Sequence, residues 1–122
     1  MSCAEFPEDL RSAYAARRFV RRQVVGCPES LVEASVLLVS ELVTNAVLHA
    51  RSATQVEVQV LGCGAVHIEV SDACPLPPRA QHPSETASGG RGVNLVEAVS
   101  SRWGVRSRPN GKTIWFDVEA AS

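Results

Sequence analysis

The chain lacks the features that would place it in several special classes of protein. Its 122 residues carry 12 basic and 13 acidic side chains, for a formal charge of −1, which argues against binding nucleic acid by neutralising many phosphates. No uninterrupted apolar run reaches the roughly 18 residues that a membrane span needs. The first residues also lack the basic start and apolar stretch of a secretory signal. We therefore expect a small, soluble, cytoplasmic domain with no direct contact to nucleic acid or membrane.

Metal and disulfide signatures are missing as well. The cysteines at positions 3, 27, 63 and 74 form no CxxC pair, and the three histidines do not stand at zinc-ligand spacing beside them. Because no secretion signal is visible, we expect these cysteines to be reduced structural or surface thiols.

Common catalytic motifs are missing too. The chain has neither GxSxG nor HExxH. The tripeptide Gly111-Lys112-Thr113 resembles the end of a phosphate-binding P-loop, but residue 106, where that motif needs its first glycine, is Arg106. We interpret Asn110-Gly111 as a hairpin turn, with Lys112 facing solvent.

The composition and patterning that are present predict one globular domain, residues 1–122. Hydrophobic residues make up 45% of the chain and charged residues 20%, which is enough apolar surface for a core. Apolar spacing predicts a first helix over 7–24, within an N-terminal helical segment 1–28, and a second over 29–50. In the second, a valine stripe and several leucines leave little polar surface, so we expect it to be buried on more than one side.

The remaining elements complete an α+β arrangement. Alternating residues predict hairpins of 54–61 with 65–72 and of 102–107 with 113–118. Between the hairpins lie a long loop, 73–92, and a short helix, 93–100. We predict a two-layer α/β sandwich with the helices on one face of a mixed, largely antiparallel sheet.

Three local features could carry chemistry, and each has a plain structural alternative. Glu41 and Asn45 share one helix face and could act as a proton acceptor and a ligand for a hard cation, or simply form an exposed helix edge. Asp72 ends a strand and could accept a hydrogen bond from an exocyclic amine, or cap a turn. The glycines at 89, 90 and 92 could cradle an anion at a helix start or form a flexible linker.

In this order, these features resemble the motifs of the GHKL (Bergerat-fold) ATPases. SELVTNAVLHA (40–50) resembles the N-box, VSDACPLPP (70–78) the adenine-binding G1 region, and GGRGVNLVEAVSSRWGV (89–105) the G2 region. The small size makes the chain most similar to RsbW-like anti-sigma factor serine kinases. One departure stands out: where G1 reads D-x-G-x-G, this chain has Cys74 and Leu76.

The resemblance implies roles for individual residues. Glu41 would be the general base, and Asn45 a ligand of Mg²⁺. ATP would be held between the helices and a lid formed by 73–92. The residues implied to contact the nucleotide are Asn45, Asp72, Cys74, Gly90, Arg91, Gly92 and Thr113. His49 lies within the N-box, but we expect it to pack at the helix end rather than to act in catalysis.

The implied function is regulatory. The protein would use MgATP to phosphorylate a STAS-type anti-anti-sigma partner on serine, would sequester a sigma factor and would form a homodimer. A second hypothesis, motivated by the altered G1 region, is an interaction module that is gated by nucleotide or needs none. A third, the separated ATPase half of a sensor histidine kinase, is weakened because no phosphoacceptor helix pair is visible.

Overall fold

The computed structural model describes residues 1–62, 64–73, 96 and 99–120. Its elements are the strand β1 (Ser2–Phe6), the helices α1 (Arg11–Gln23) and α2 (Glu29–Asn45), a π-helical turn (Ala46–Ala50) that continues α2, and the strands β2 (Thr54–Gly62), β3 (Ala65–Asp72), β4 (Arg102–Arg108) and β5 (Gly111–Glu119).

The five strands form one sheet in the order β1-β2-β3-β5-β4, and every neighbouring pair is antiparallel. Alternate residues of each strand face the helices, because side chains point to opposite faces of a strand in turn. In β3, for example, Val66, Ile68 and Val70 are buried on this face. The two helices cover the same face, so the predicted α+β two-layer sandwich is confirmed.

Helix α2 is the centre of the core. The predicted valine stripe of Val32, Val36, Val39 and Val43 is at most 9% exposed. Leucines on neighbouring faces are buried as well, although Leu37 is 43% exposed. By length and composition Glu29–Ala50 could cross a membrane, but 56% of its most apolar window is buried inside the protein. Here it has the character of a core helix, as its apolar pattern predicts.

The N-terminal segment differs from its prediction. Residues 2–6 form the edge strand β1 rather than part of a helical segment 1–28, and α1 begins at Arg11 instead of residue 7. The chain bends before α1, where Asp9 accepts a hydrogen bond from the backbone N–H of Arg11 at 2.8 Å. Strand β1 pairs with β2, about 50 residues further along the chain. Ala4 and Phe6 face the core and Cys3 and Glu5 are exposed, but this alternation extends over only five residues.

The long loop and the short helix lie largely outside the described residues. Of the predicted lid 73–92 only Ala73 is described, and of the predicted helix 93–100 only Val96, Val99 and Ser100 are. Val96 is helical and fully buried in the core, and its carbonyl accepts the Ser100 N–H at 2.9 Å. Among the cysteines, Cys3 and Cys27 are free thiols, as expected, while Cys63 and Cys74 lie outside the described residues.

Candidate functional site

A row of polar side chains crosses one end of the sheet on its helix-facing side. Thr54, Asp72 and Lys112 stand directly opposite one another on β2, β3 and β5. The Lys112 Nζ lies 2.9 Å from the Asp72 Oδ2, and each of these two side chains is 10% exposed. The pair therefore places a carboxylate and an ammonium side by side, largely removed from water.

The expectation that Lys112 faces solvent was wrong. The turn between β4 and β5 contains only Pro109 and Asn110, so β5 already begins at Gly111. Lys112 then precedes the buried Ile114 by two positions and faces the same side of the sheet. A lysine is tolerated there because the opposing Asp72 supplies the countercharge.

Gly111 allows the backbone around Asp72 to approach β5 closely. A Cβ atom placed on Gly111 would lie 1.9 Å from the Asp72 carbonyl oxygen, so no residue with a side chain fits without a backbone shift. Gly111, the first residue of β5, thus sets how closely the end of β3 approaches β5.

Ser52 connects the end of β3 with the end of the α2 segment. The Ser52 Oγ accepts a hydrogen bond from the Ala73 N–H at 2.8 Å, and the Ser52 N–H donates to the Ala46 carbonyl at 3.1 Å. Ala46 directly follows Asn45, and Ala73 directly follows Asp72. One buried serine therefore holds the helix end that carries Asn45 beside the strand end that carries Asp72.

Glu41 and Asn45 lie one turn apart on α2, and both are half-buried. Their oxygen atoms suit a hard cation such as Mg²⁺, which in proteins is usually held by one or two such ligands together with phosphate oxygens. No cluster of three or more His, Cys, Asp or Glu that could hold a metal ion occurs among the described residues. The pair therefore fits Mg²⁺ only if the ion also binds phosphate oxygens.

The helix changes character just after Asn45. Ala46–Ala50 form a wider π-helical turn, which ends where Arg51 adopts a left-handed conformation with φ of 51°. Turns of this kind are frequent at functional sites. His49, expected to pack at the helix end, is exposed. His49 lies within this π-helical turn, one residue before its end at Ala50.

Thr113 is not brought together with Asp72. Its side chain lies on the face of the sheet opposite to that of Lys112 and Asp72, and its hydroxyl lies 2.7 Å from the Ser71 hydroxyl. Lys112, its neighbour, occupies the position beside Asp72 instead. The other residues implied by the resemblance, Cys74, Gly90, Arg91 and Gly92, lie outside the described residues.

A cavity of about 450 Å³ opens at this end of the sheet, a volume within the ~300–1,000 Å³ range of small-molecule sites. Asp72, Ser71 and Thr54 line it, but Glu41 and Asn45 do not. The Thr54 hydroxyl is buried and has no hydrogen-bond partner within the described part of the chain. Because buried hydroxyls are nearly always paired, this one marks a place where a ligand could supply a partner.

The opposite face of the sheet carries a separate charged network around His67. Its Nδ1 lies 2.5 Å from Asp117 and its Nε2 2.8 Å from Glu69. Burial by itself lowers the pKa of His67, but these two carboxylates outweigh it and raise the pKa above its ordinary value. Burial likewise favours a higher pKa for Glu69, yet His67 and Arg106 lower it. This network lies on the sheet face away from the polar row.

Comparison with protein families identifies the chain. The model of the histidine kinase-like ATPase domain matches residues 6–118. The chain belongs to this family. The N-box, G1 and G2 resemblances thus fall within a match that extends over nearly the whole chain, and the sandwich described above is consistent with the GHKL ATPase fold.

Solved structures share the fold of this histidine kinase-like ATPase domain. One is a histidine kinase domain from the blue-light-activated histidine kinase of Erythrobacter litoralis EL346, with a TM-score of 0.57, 20% identity, and coverage of 93% of this chain and 61% of that one. Another chain of the same kinase has a TM-score of 0.60 and 20% identity, with coverage of 93% and 42%. The chain thus spans less than two thirds of either. No match was found among curated proteins.

Three features of this end of the sheet were not predicted from the sequence: Ser52, Thr54 and the buried position of Lys112. Thr54 had a usable signal, because it begins a strand directly before the alternating valines. Lys112 could have been placed inside by counting back two residues from Ile114. Ser52 had no signal, since its hydrogen bonds join parts of the chain that only the fold brings together.

Proposed function

We propose that this domain binds ATP with Mg²⁺ at the end of the sheet marked by Asp72, and that it is a regulatory protein kinase. The observation that carries the proposal is the tie through Ser52. It holds Asp72 close to the helix end that follows Asn45, in a chain of the histidine kinase-like ATPase family. In this proposal Asp72 accepts a hydrogen bond from the base, and Asn45 binds Mg²⁺.

The chemistry assigned to Glu41 is that of a general base. Glu41 accepts the proton of the attacking serine hydroxyl, the serine oxygen bonds to the γ-phosphorus, and ADP leaves. Asn45 would hold Mg²⁺ in part, and the ion would supply positive charge beside the phosphates. Glu41 is half-buried and neighbours Ser40, whose hydroxyl accepts a hydrogen bond from Arg17 at 2.9 Å. That bond joins α1 to α2 one residue before Glu41.

The partners follow from the resemblance to RsbW-like anti-sigma factor kinases. We propose that the protein acts in the cytoplasm as a homodimer. It would sequester a sigma factor and phosphorylate a STAS-type anti-anti-sigma protein on serine. The glycines and arginine of the implied phosphate-binding region, Gly90, Arg91 and Gly92, and the altered G1 position Cys74 belong to the same proposal.

Nucleotide binding is tested by isothermal titration calorimetry with ATP and ADP, each with and without Mg²⁺. Asp72→Asn should weaken binding at least about tenfold, because an amide is a poorer acceptor than a carboxylate for the base amine. Glu57→Gln is the matched control, since it removes one acidic charge from the adjacent strand on the other face of the sheet. Equal affinities of the two variants would remove Asp72 from the site.

Kinase activity is tested with labelled ATP, Mg²⁺ and a candidate STAS partner. Glu41→Gln should abolish serine phosphorylation and leave ATP binding largely intact. Glu33→Gln, exposed two turns earlier on α2, should behave as wild type. Undiminished phosphorylation by Glu41→Gln would contradict the proposed base. A co-purification from the native cell, searched for sigma factors and STAS proteins, tests the regulatory part.

The second candidate is an interaction domain that regulates without nucleotide. The buried Asp72–Lys112 pair favours it, because the carboxylate meant for the base already has a cationic partner. Under this candidate, calorimetry detects no ATP or ADP binding, while partner binding is unchanged by either nucleotide. A clear ATP signal that is lost in Asp72→Asn eliminates it.

A further inference from the structure

The Asp72–Lys112 pair bears on which purine the site accepts, an inference that rests on the proposed function. The Lys112 Nζ and the Asp72 Oδ2 are 2.9 Å apart, with both side chains 10% exposed. Removing a buried charge from its partner is strongly unfavourable. A base that enters this end of the sheet therefore has to bind beside the pair, and it meets a donor and an acceptor together.

A carboxylate by itself discriminates sharply between purines. It only accepts hydrogen bonds, so it pairs with the 6-amino group of adenine and repels the 6-oxygen of hypoxanthine or guanine. Lys112 changes this, because an ammonium has three donors and no acceptor. The 6-oxygen can accept from Lys112, while the ring N–H at position 1 donates to Asp72. Adenine fits as well when its edge runs in the opposite direction along the pair, with its 6-amino group donating to Asp72 and its unprotonated N1 accepting from Lys112.

Thr54 supplies an independent observation at the same place. It stands opposite Asp72 on the side away from Lys112, and it lines the neighbouring cavity. Its hydroxyl is buried without a hydrogen-bond partner among the described residues. Lys112, Asp72 and Thr54 thus present a donor, an acceptor and a hydroxyl in a row. The edge of guanine presents an acceptor followed by two donors, which complements that row, and the edge of hypoxanthine presents the acceptor and the first donor.

We propose that this site accepts 6-oxopurine nucleoside triphosphates as well as ATP, and that Lys112 is the residue that sets this tolerance. Lys112 is the chain's single lysine, which makes it easy to follow in an experiment.

The test compares ATP with inosine triphosphate, whose base differs from adenine in its 6-substituent and the proton on N1. Titrations of the full chain with Mg²⁺ should give affinities for the two nucleotides within about tenfold of each other. Lys112→Met keeps the aliphatic stem and removes the hydrogen-bond donor. It should therefore lower the affinity for inosine triphosphate, relative to the affinity for ATP, by about tenfold or more. Arg106→Met is the matched control. It removes one positive charge from the other face of the sheet, where Arg106 contacts Glu69, and should leave the ratio unchanged.

A second measurement needs no substitution and stays informative if Lys112→Met does not fold. Prolonged acetylation of the wild-type protein, followed by mass spectrometry of the peptide that carries Lys112, should be slowed by both nucleotides. The inference is overturned, while the proposed function stands, if only ATP slows the acetylation of Lys112. It is also overturned if Lys112→Met leaves the ratio of the two nucleotide affinities unchanged. If the wild type binds neither nucleotide, the proposed function fails and the inference fails with it.

Discussion

Replacing Gly111 with alanine should damage the fold and the candidate site together. The added Cβ would lie 1.9 Å from the Asp72 carbonyl oxygen and 2.9 Å from its carbonyl carbon. Both are backbone atoms, so no side-chain rotation relieves the clash, and the strands must separate by about 1 Å in a close-packed interior. We expect the free energy of unfolding to fall by about 3 kcal/mol, at the upper end of ordinary overpacking. The melting temperature should fall by about 10 °C or more.

Gly104 provides the matched comparison. A Cβ there would lie 2.7 Å from the Nε1 of Trp115, so it clashes with a side chain rather than with backbone. Gly104→Ala should therefore cost only about 1 kcal/mol. Urea denaturation of the two variants and wild type, followed by circular dichroism, measures the difference. The reasoning is refuted if Gly111→Ala is within about 0.5 kcal/mol of wild type, or if it is the milder of the two substitutions.

Three further predictions concern charges and hydrogen bonds. Lys112→Met removes the ammonium beside Asp72 and should lower the unfolding free energy by about 3 kcal/mol. Adding Asp72→Asn should restore most of that loss in the double variant. If the losses of the two single variants simply add in the double variant, the two side chains are not coupled. Ser52→Ala should lower the unfolding free energy by about 1 kcal/mol and weaken ATP binding. An unchanged affinity for ATP would contradict the role of Ser52 in positioning the site. Because the pKa of His67 is raised in the folded protein, the protonated ring stabilises the fold. This stabilisation is fully present below about pH 6.5 and is lost as the pH rises through the folded-state pKa. The stability difference between wild type and His67→Gln should therefore shrink from pH 6 to pH 9, and a constant difference would contradict this.

Periodicity in the sequence was enough to predict the elements whose apolar residues repeat at regular spacing. Strand β3 was predicted with its observed bounds, Ala65–Asp72, because its valines and isoleucine alternate cleanly. Helix α2 begins at Glu29 as predicted, and its valine stripe is buried. Its C-terminal end differs, since the π turn from Ala46 onward depends on how the chain returns through Ser52 to the sheet.

The features that sequence patterns left undetermined depend on contacts between distant parts of the chain. Strand β1 owes its existence to pairing with β2, so its five residues carry too little pattern to reveal it. The burial of Lys112 is decided by Asp72, 40 residues earlier, which offers the countercharge. The prediction for Asp72 concerned one side chain, whereas the structure presents it paired with Lys112.

The most direct test of the account is an NMR titration of the uniformly ¹⁵N-labelled protein with MgATP. The account predicts the largest amide shift changes at Asn45, Asp72, Ala73 and Lys112, whose positions are tied together by Ser52 and Gly111. Little change should occur at His67, on the opposite face of the sheet. Changes centred on His67, or no change at Asp72 and Ala73 at saturating ATP, would contradict a nucleotide site at this end of the sheet.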